Sequence, residues 1–166
     1  MTSVILILDN IRSTHNVGSI LRTADGFGVD AVYICGYTPY PSLADDTRLP
    51  HEREKLTKAI HKTALGAEKT VPIRLFSSVD AAIVAAKQAG FTIAMLEQSK
   101  HSIKLNEYQP PAKLAVVLGN EVTGILSATL KAGTITLEIP MLGKKESFNV
   151  SVSAAICLYE LRRNSL

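Results

Sequence analysis

Short runs rich in β-branched residues and leucine, most of them unbroken, recur along the chain in alternation with segments of helical spacing. Val4 to Leu8, Ala31 to Ile34, Val71 to Phe76, Phe91 to Leu96, Leu114 to Leu118 and Ile135 to Ile139 are such runs. A strand with one wet face alternates apolar and polar residues, whereas a strand apolar throughout is covered on both faces. Strands that alternate with helices supply that cover. Ser13-Thr14 offers an N-cap to a helix whose Val17, Ile20, Leu21, Ala24 and Phe27 share one face, with Gly26 and Gly28 to end it. Glu52 to Lys62, Val79 to Ala89, Ile125 to Leu130 and Val150 to Arg162 read as further helices. Pro39, Pro41 and Pro50 mark Thr38 to Pro50 as a loop, and Pro110-Pro111 marks a break. With no internal repeat or linker, the expectation is α/β: one domain over residues 1–166, a mostly parallel sheet with helices on both faces.

Composition narrows the class. Apolar residues make up 46% of the chain and charged residues 20%, which fits a globular protein rather than a disordered one. The apolar runs are too short to cross a bilayer. Met1-Thr2-Ser3 lacks the basic-then-apolar order of a signal peptide, so a cytoplasmic protein is expected. Cys35 and Cys157 sit in apolar runs and read as buried thiols, and the four scattered histidines suggest no metal site. A net charge of +3 permits a nucleic-acid partner without demanding one.

Polar residues cluster where three strands end, in Asn10 to Asp25, Leu118 to Ile125 and Ile139 to Ser153. Ligands of open α/β sheets bind outside the carboxyl ends of strands. No Gly-x-Gly-x-x-Gly follows a strand. Gly119 and Gly124 have the spacing of the outer P-loop glycines, but Ile125-Leu126 replaces Lys-Ser/Thr and Glu121 would repel a phosphate. A nucleoside cofactor here is not held by phosphates. S-adenosylmethionine fits that gap, and Ile139-Pro140-Met141-Leu142-Gly143 offers it backbone and apolar contacts.

Three motifs carry a resemblance. Asn10-Ile11-Arg12-Ser13-Thr14-His15-Asn16-Val17-Gly18-Ser19-Ile20-Leu21-Arg22-Thr23-Ala24 resembles the first motif of the SpoU, or TrmH, family of RNA ribose methyltransferases. Leu118-Gly119-Asn120-Glu121-Val122-Thr123-Gly124 resembles the second. Ile139-Pro140-Met141 and then Ser147-Phe148-Asn149-Val150-Ser151-Val152-Ser153 resemble the third, in the family's order and spacing. Lys62-Thr63-Ala64-Leu65-Gly66-Ala67-Glu68 is also similar to members. The resemblance implies an α/β-knot of the SPOUT class, whose C-terminal segment forms a trefoil knot. It also implies methyl transfer from S-adenosylmethionine to a ribose 2′-hydroxyl, with transfer RNA slightly favoured over ribosomal RNA. The rival reading is a non-catalytic RNA- or adenosyl-binding protein on the same fold, against which the retained motif residues argue.

Each site residue has a plain reading beside the one the family implies. Arg22, opposite the apolar face of its helix, reads as a solvated arginine or as a phosphate contact at the catalytic centre. The second is expected, although a guanidinium is a poor proton acceptor. Asn16, Ser147 and Asn149 have the chemistry of helix caps, and the motifs make them active-site residues. Glu121 is a helix-start carboxylate or the organiser of the site. Leu96, Gly119, Ile139, Met141 and Phe148 match cofactor-binding positions, Phe148 standing where members often have Leu. Arg48, Arg53, Lys55, Lys58, Lys62, Lys144 and Lys145 read as a solvated face or as contacts to RNA phosphates. The helix from Val150 to Arg162 is apolar nearly all round, so a homodimer through this C-terminal helix is expected, as in family members. No N-terminal RNA-binding extension is read in this chain.

Overall fold

The computed structural model describes residues 2–163. Seven strands form one sheet in the order β3-β2-β1-β6-β4-β7-β5, and every pairing is parallel. They are β1 (Ser3–Asp9), β2 (Ala31–Cys35), β3 (Ile73–Phe76), β4 (Thr92–Leu96), β5 (Ile103–Lys104), β6 (Lys113–Leu118) and β7 (Ile135–Glu138). Five α-helices accompany them: α1 (Thr14–Gly26), α2 (Pro50–Ala64), α3 (Val79–Gln88), α4 (Ser127–Leu130) and α5 (Val150–Arg162).

The central strand explains the apolar runs. On β1, Val4, Leu6 and Leu8 face a core shared with α1, α2 and α5, while Ile5 and Ile7 face a second core shared with α3. Both faces are therefore dry, as the expected architecture requires. β1 is also where the strand order turns round: β2 and β3 lie to one side, β6 and the others to the other. The loops after β1 and β6 leave the same edge from adjacent strands, which is the switch point where α/β sheets place their ligands.

Local chemistry sets the helix boundaries. The Ser13 hydroxyl accepts from the Asn16 N–H at 3.3 Å, so Ser13 caps α1 as expected. The second helix begins two residues before the expected Glu52 because Pro50 supplies a ready helical φ in the first turn. It ends where Leu65 and Gly66 take positive φ values of 52° and 107°. Gly18 is needed where α1 crosses α2, since a Cβ there would lie 2.3 Å from the Ile60 carbonyl oxygen. β5 was not expected, since its two residues carry no apolar run. Both cysteines are free and buried, and burial first, with Asp9 adding to it at Cys35, pushes each thiol up to about 12. No described helix is long and apolar enough to cross a membrane.

After β7 the chain runs along the ligand edge through 139–149, where the Gln98 side-chain amide donates to the Glu146 carbonyl at 2.8 Å. It then returns as α5 to the face that carries α1. Arg162, 3% exposed, ends α5 among backbone carbonyls, donating to Phe27 (3.1 Å), Gly28 (2.9 Å) and Thr2. A guanidinium at the end of α1 also meets the negative end of that helix. Arg162→Ala is expected to lower the unfolding free energy by about 3 kcal/mol, because it strands buried carbonyls that a charged donor now satisfies. Urea denaturation of the variant beside the parent checks this.

Candidate active site

The loop from Gly119 to Ile125 gives the site its shape. It leaves β6 and doubles back, with the Gly124 N–H donating to the Asn120 carbonyl at 2.9 Å. A Cβ on Gly119 would lie 2.5 Å from the Gly124 carbonyl carbon, so the glycine is required by the loop's own backbone. The Asn120 side chain fixes the loop on both sides. Its amide donates to the Asn10 carbonyl (2.7 Å) and the Tyr37 hydroxyl (2.9 Å), and its oxygen accepts from the N–H groups of Val122 and Thr123. Asn10, at φ 56°, holds the tight exit from β1 that brings its carbonyl within reach.

Glu121 reaches from this loop to the start of α1. Its carboxylate accepts from the N–H groups of Arg12 (2.9 Å) and Ser13 (3.0 Å) and from the Asn16 amide (2.9 Å). Burial pushes the Glu121 carboxyl up, but the donors from Arg12, Asn16 and Ser13 outweigh it and hold the group below the usual carboxylate value. The Asn16 oxygen in turn accepts from the Asn149 amide at 3.2 Å. Asn149 also caps α5, its oxygen accepting from the Ser151 N–H at 2.9 Å. One hydrogen-bonded chain, Glu121–Asn16–Asn149, thus joins all three polar segments, and Asn149 both caps α5 and takes part in that chain.

Beside this chain lies a cleft of about 660 Å³. Leu96, Leu118, Ile125, Leu130 and Phe148 give it apolar walls, and the loop 119–125 and the segment 146–150 give it polar ones. Among the described residues, those lining it include Glu97, Glu121 and Glu146 but no Lys, Arg or His. Ile139 joins Leu96, Ser147 and Phe148 in a smaller adjoining hollow. The structure therefore brings together Glu121, Ser147, Asn149, Leu96, Gly119, Ile139 and Phe148, with Asn16 bonded to the first and third. Met141 is half-buried and lines neither cavity. Arg22 is exposed on α1 and also lines neither. Glu97 and Gln98 line the cleft and escaped sequence reading; the signal was their place directly after Leu96, at the end of a strand.

The SpoU rRNA Methylase family model matches residues 3–159. The chain belongs to the SpoU rRNA methylase family. It is 33% identical over 162 residues to a putative TrmH family tRNA/rRNA methyltransferase of Staphylococcus epidermidis, covering 97% of this chain and 59% of that protein. It is 35% identical to the 23S rRNA (guanosine-2′-O-)-methyltransferase RlmB of Nitrosomonas europaea, covering 97% of this chain and 56% of that one. The chain thus spans less than two thirds of the length of these curated relatives. The AdoMet-bound rRNA methyltransferase of Sinorhizobium meliloti superposes with a TM-score of 0.81 at 22% identity, covering 99% of this chain and 57% of that one, a likeness of fold.

Because the carboxyl of Glu121 is held below its ordinary value of 4.5, its contribution to stability is present above that value and is lost as the pH falls through the lowered one. Glu121→Gln is expected to be less stable than the parent at neutral pH and to lose part of the acid sensitivity. Urea unfolding of both proteins between pH 3 and pH 7 checks this, the gap narrowing towards acid.

Proposed function

We propose that this SpoU family member transfers the methyl group of S-adenosylmethionine to a ribose 2′-hydroxyl of RNA. The observation that carries the reading is the Glu121–Asn16–Asn149 chain beside the cleft, which ties the three motif segments into one site. The cofactor fits the chemistry of the lining. An adenosine suits the apolar walls, a sulfonium suits a cleft whose described lining has carboxylates and no cation, and no phosphate needs a cradle. Leu96, Gly119, Ile139 and Phe148 hold it, and Met141, next to Ile139 but outside both cavities, is the weakest member of that set.

When bound, the cofactor supplies an electrophilic methyl carbon on a sulfonium. The protein's part is alignment: Asn16, Ser147 and Asn149 orient the ribose, and Glu121 keeps the starts of α1 and α5 in register with the cleft. Arg22, an exposed cation on the same helix as Asn16, takes the RNA phosphate next to the target nucleotide, where a guanidinium binds in bidentate fashion. The 2′-hydroxyl makes RNA the substrate. Both RNA classes named for the relatives, transfer and ribosomal, are substrates to assay.

A second copy of the chain completes the assembly. Val152 and Tyr159 of α5 are 44% and 54% exposed, and Ala155 and Ile156 between them are partly so, which gives one apolar stripe along the helix. A homodimer through this stripe covers it beside the cleft, to which Val150 and Ser153 contribute. The return of α5 across the ligand edge to α1 supports the trefoil threading that the family resemblance implies.

Labelled methyl from S-adenosylmethionine is expected in 2′-O-methylnucleosides after incubation with unmodified transfer RNA or ribosomal RNA and digestion. A folded protein that binds the cofactor and labels neither pool would sink the proposal. Arg22→Ala is expected to abolish transfer while calorimetric binding of the cofactor stays nearly intact. Val152→Asp with Tyr159→Asp is expected to shift the protein to monomers in sedimentation.

A further inference from the structure

Glu97 directly follows β4, which flanks β6 on the side away from β1. Its carboxylate accepts from the Ile125 N–H at 2.9 Å and from the Gln98 N–H at 3.0 Å. Gly124 has a φ of +63°, and a Cβ there would lie 2.4 Å from a Glu97 carboxylate oxygen. The carboxylate therefore occupies the space that any other residue at 124 would claim. Both Glu97 and the whole loop 119–125 line the cleft. On its other flank the loop is tied to α1 by Glu121 and to the β1 exit by Asn120. On the β4 flank the side-chain tie is Glu97, and without it the Ile125 N–H loses its acceptor.

We propose that Glu97 and Gly124 form a lock that positions the 119–125 loop for cofactor binding, Glu97 acting as a positioning residue through the Ile125 backbone. The inference rests on the cleft being the S-adenosylmethionine site. What counts is the reach of an acceptor oxygen to Ile125, not the negative charge. Glutamine keeps the reach and loses the charge, whereas aspartate keeps the charge and is one methylene too short. Gly124→Ala attacks the same lock from the other side by displacing the carboxylate.

Calorimetric titration with S-adenosylmethionine and with S-adenosylhomocysteine, which lacks the sulfonium charge, separates these effects. Glu97→Gln is expected to bind both ligands within about threefold of the parent, since a neutral acceptor retains much of the bond. Glu97→Asp and Gly124→Ala are each expected to weaken both ligands by about tenfold or more. The double variant Glu97→Asp with Gly124→Ala is expected to be no weaker than the weaker single, because groups in direct contact do not add. Parent-like binding by Glu97→Asp, or a larger loss in Glu97→Gln than in Glu97→Asp, overturns the proposal. So does a loss confined to S-adenosylmethionine, which marks a direct charge contact. If Gly124→Ala does not fold, the contrast between the glutamine and aspartate variants decides alone. Failure of the parent itself to bind either ligand overturns the cofactor reading instead.

Discussion

A single carboxylate holds the ligand edge of this sheet in order. Glu121 projects from the loop after β6 and collects two backbone N–H groups and a side-chain amide at the start of α1. Those N–H groups belong to Arg12 and to the cap residue Ser13, just ahead of α1, where the helix itself offers no acceptor. The carboxylate thus satisfies donors that would otherwise need water, and it does so across a gap of more than a hundred residues in sequence. Because Asn16 passes the connection on to Asn149, the starts of α1 and α5 and the loop after β6 behave as one unit. The cleft inherits its shape from that unit.

Much of the architecture was legible because burial on both sheet faces leaves continuous apolar runs, and because Ser13 and the prolines mark boundaries by known backbone chemistry. The bounds of α5 came out as read, from the Asn149 cap to Arg162. The order of strands was not legible. Nothing in the composition of β4 or β6 says that β6 sits beside β1 and β4 outside it. Two-residue β5 was invisible for want of a pattern.

The candidate site was legible through its motifs rather than through spacing. Gly119 was expected at the cofactor; that the loop's own turn at Gly124 also leaves no room for a side chain there was not legible. Glu97 was missed because a lone acidic residue after a strand looks like any solvated loop carboxylate until its bond to Ile125 is seen. Asn16 has the chemistry of a cap and was expected at the site; Ser13, the cap that was expected, is the cap, and Asn16 bridges Glu121 and Asn149.

Arg162 carries a further meaning for the order in which the molecule is made. The carbonyls it binds belong to residues 2, 27 and 28, so the last turn of α5 closes contacts spanning up to 160 residues. Contacts of such long span are slow to form. On the ribosome, β1 is therefore synthesised well before it is secured: α1 and β1 wait, with part of their shared face uncovered, until α5 has emerged.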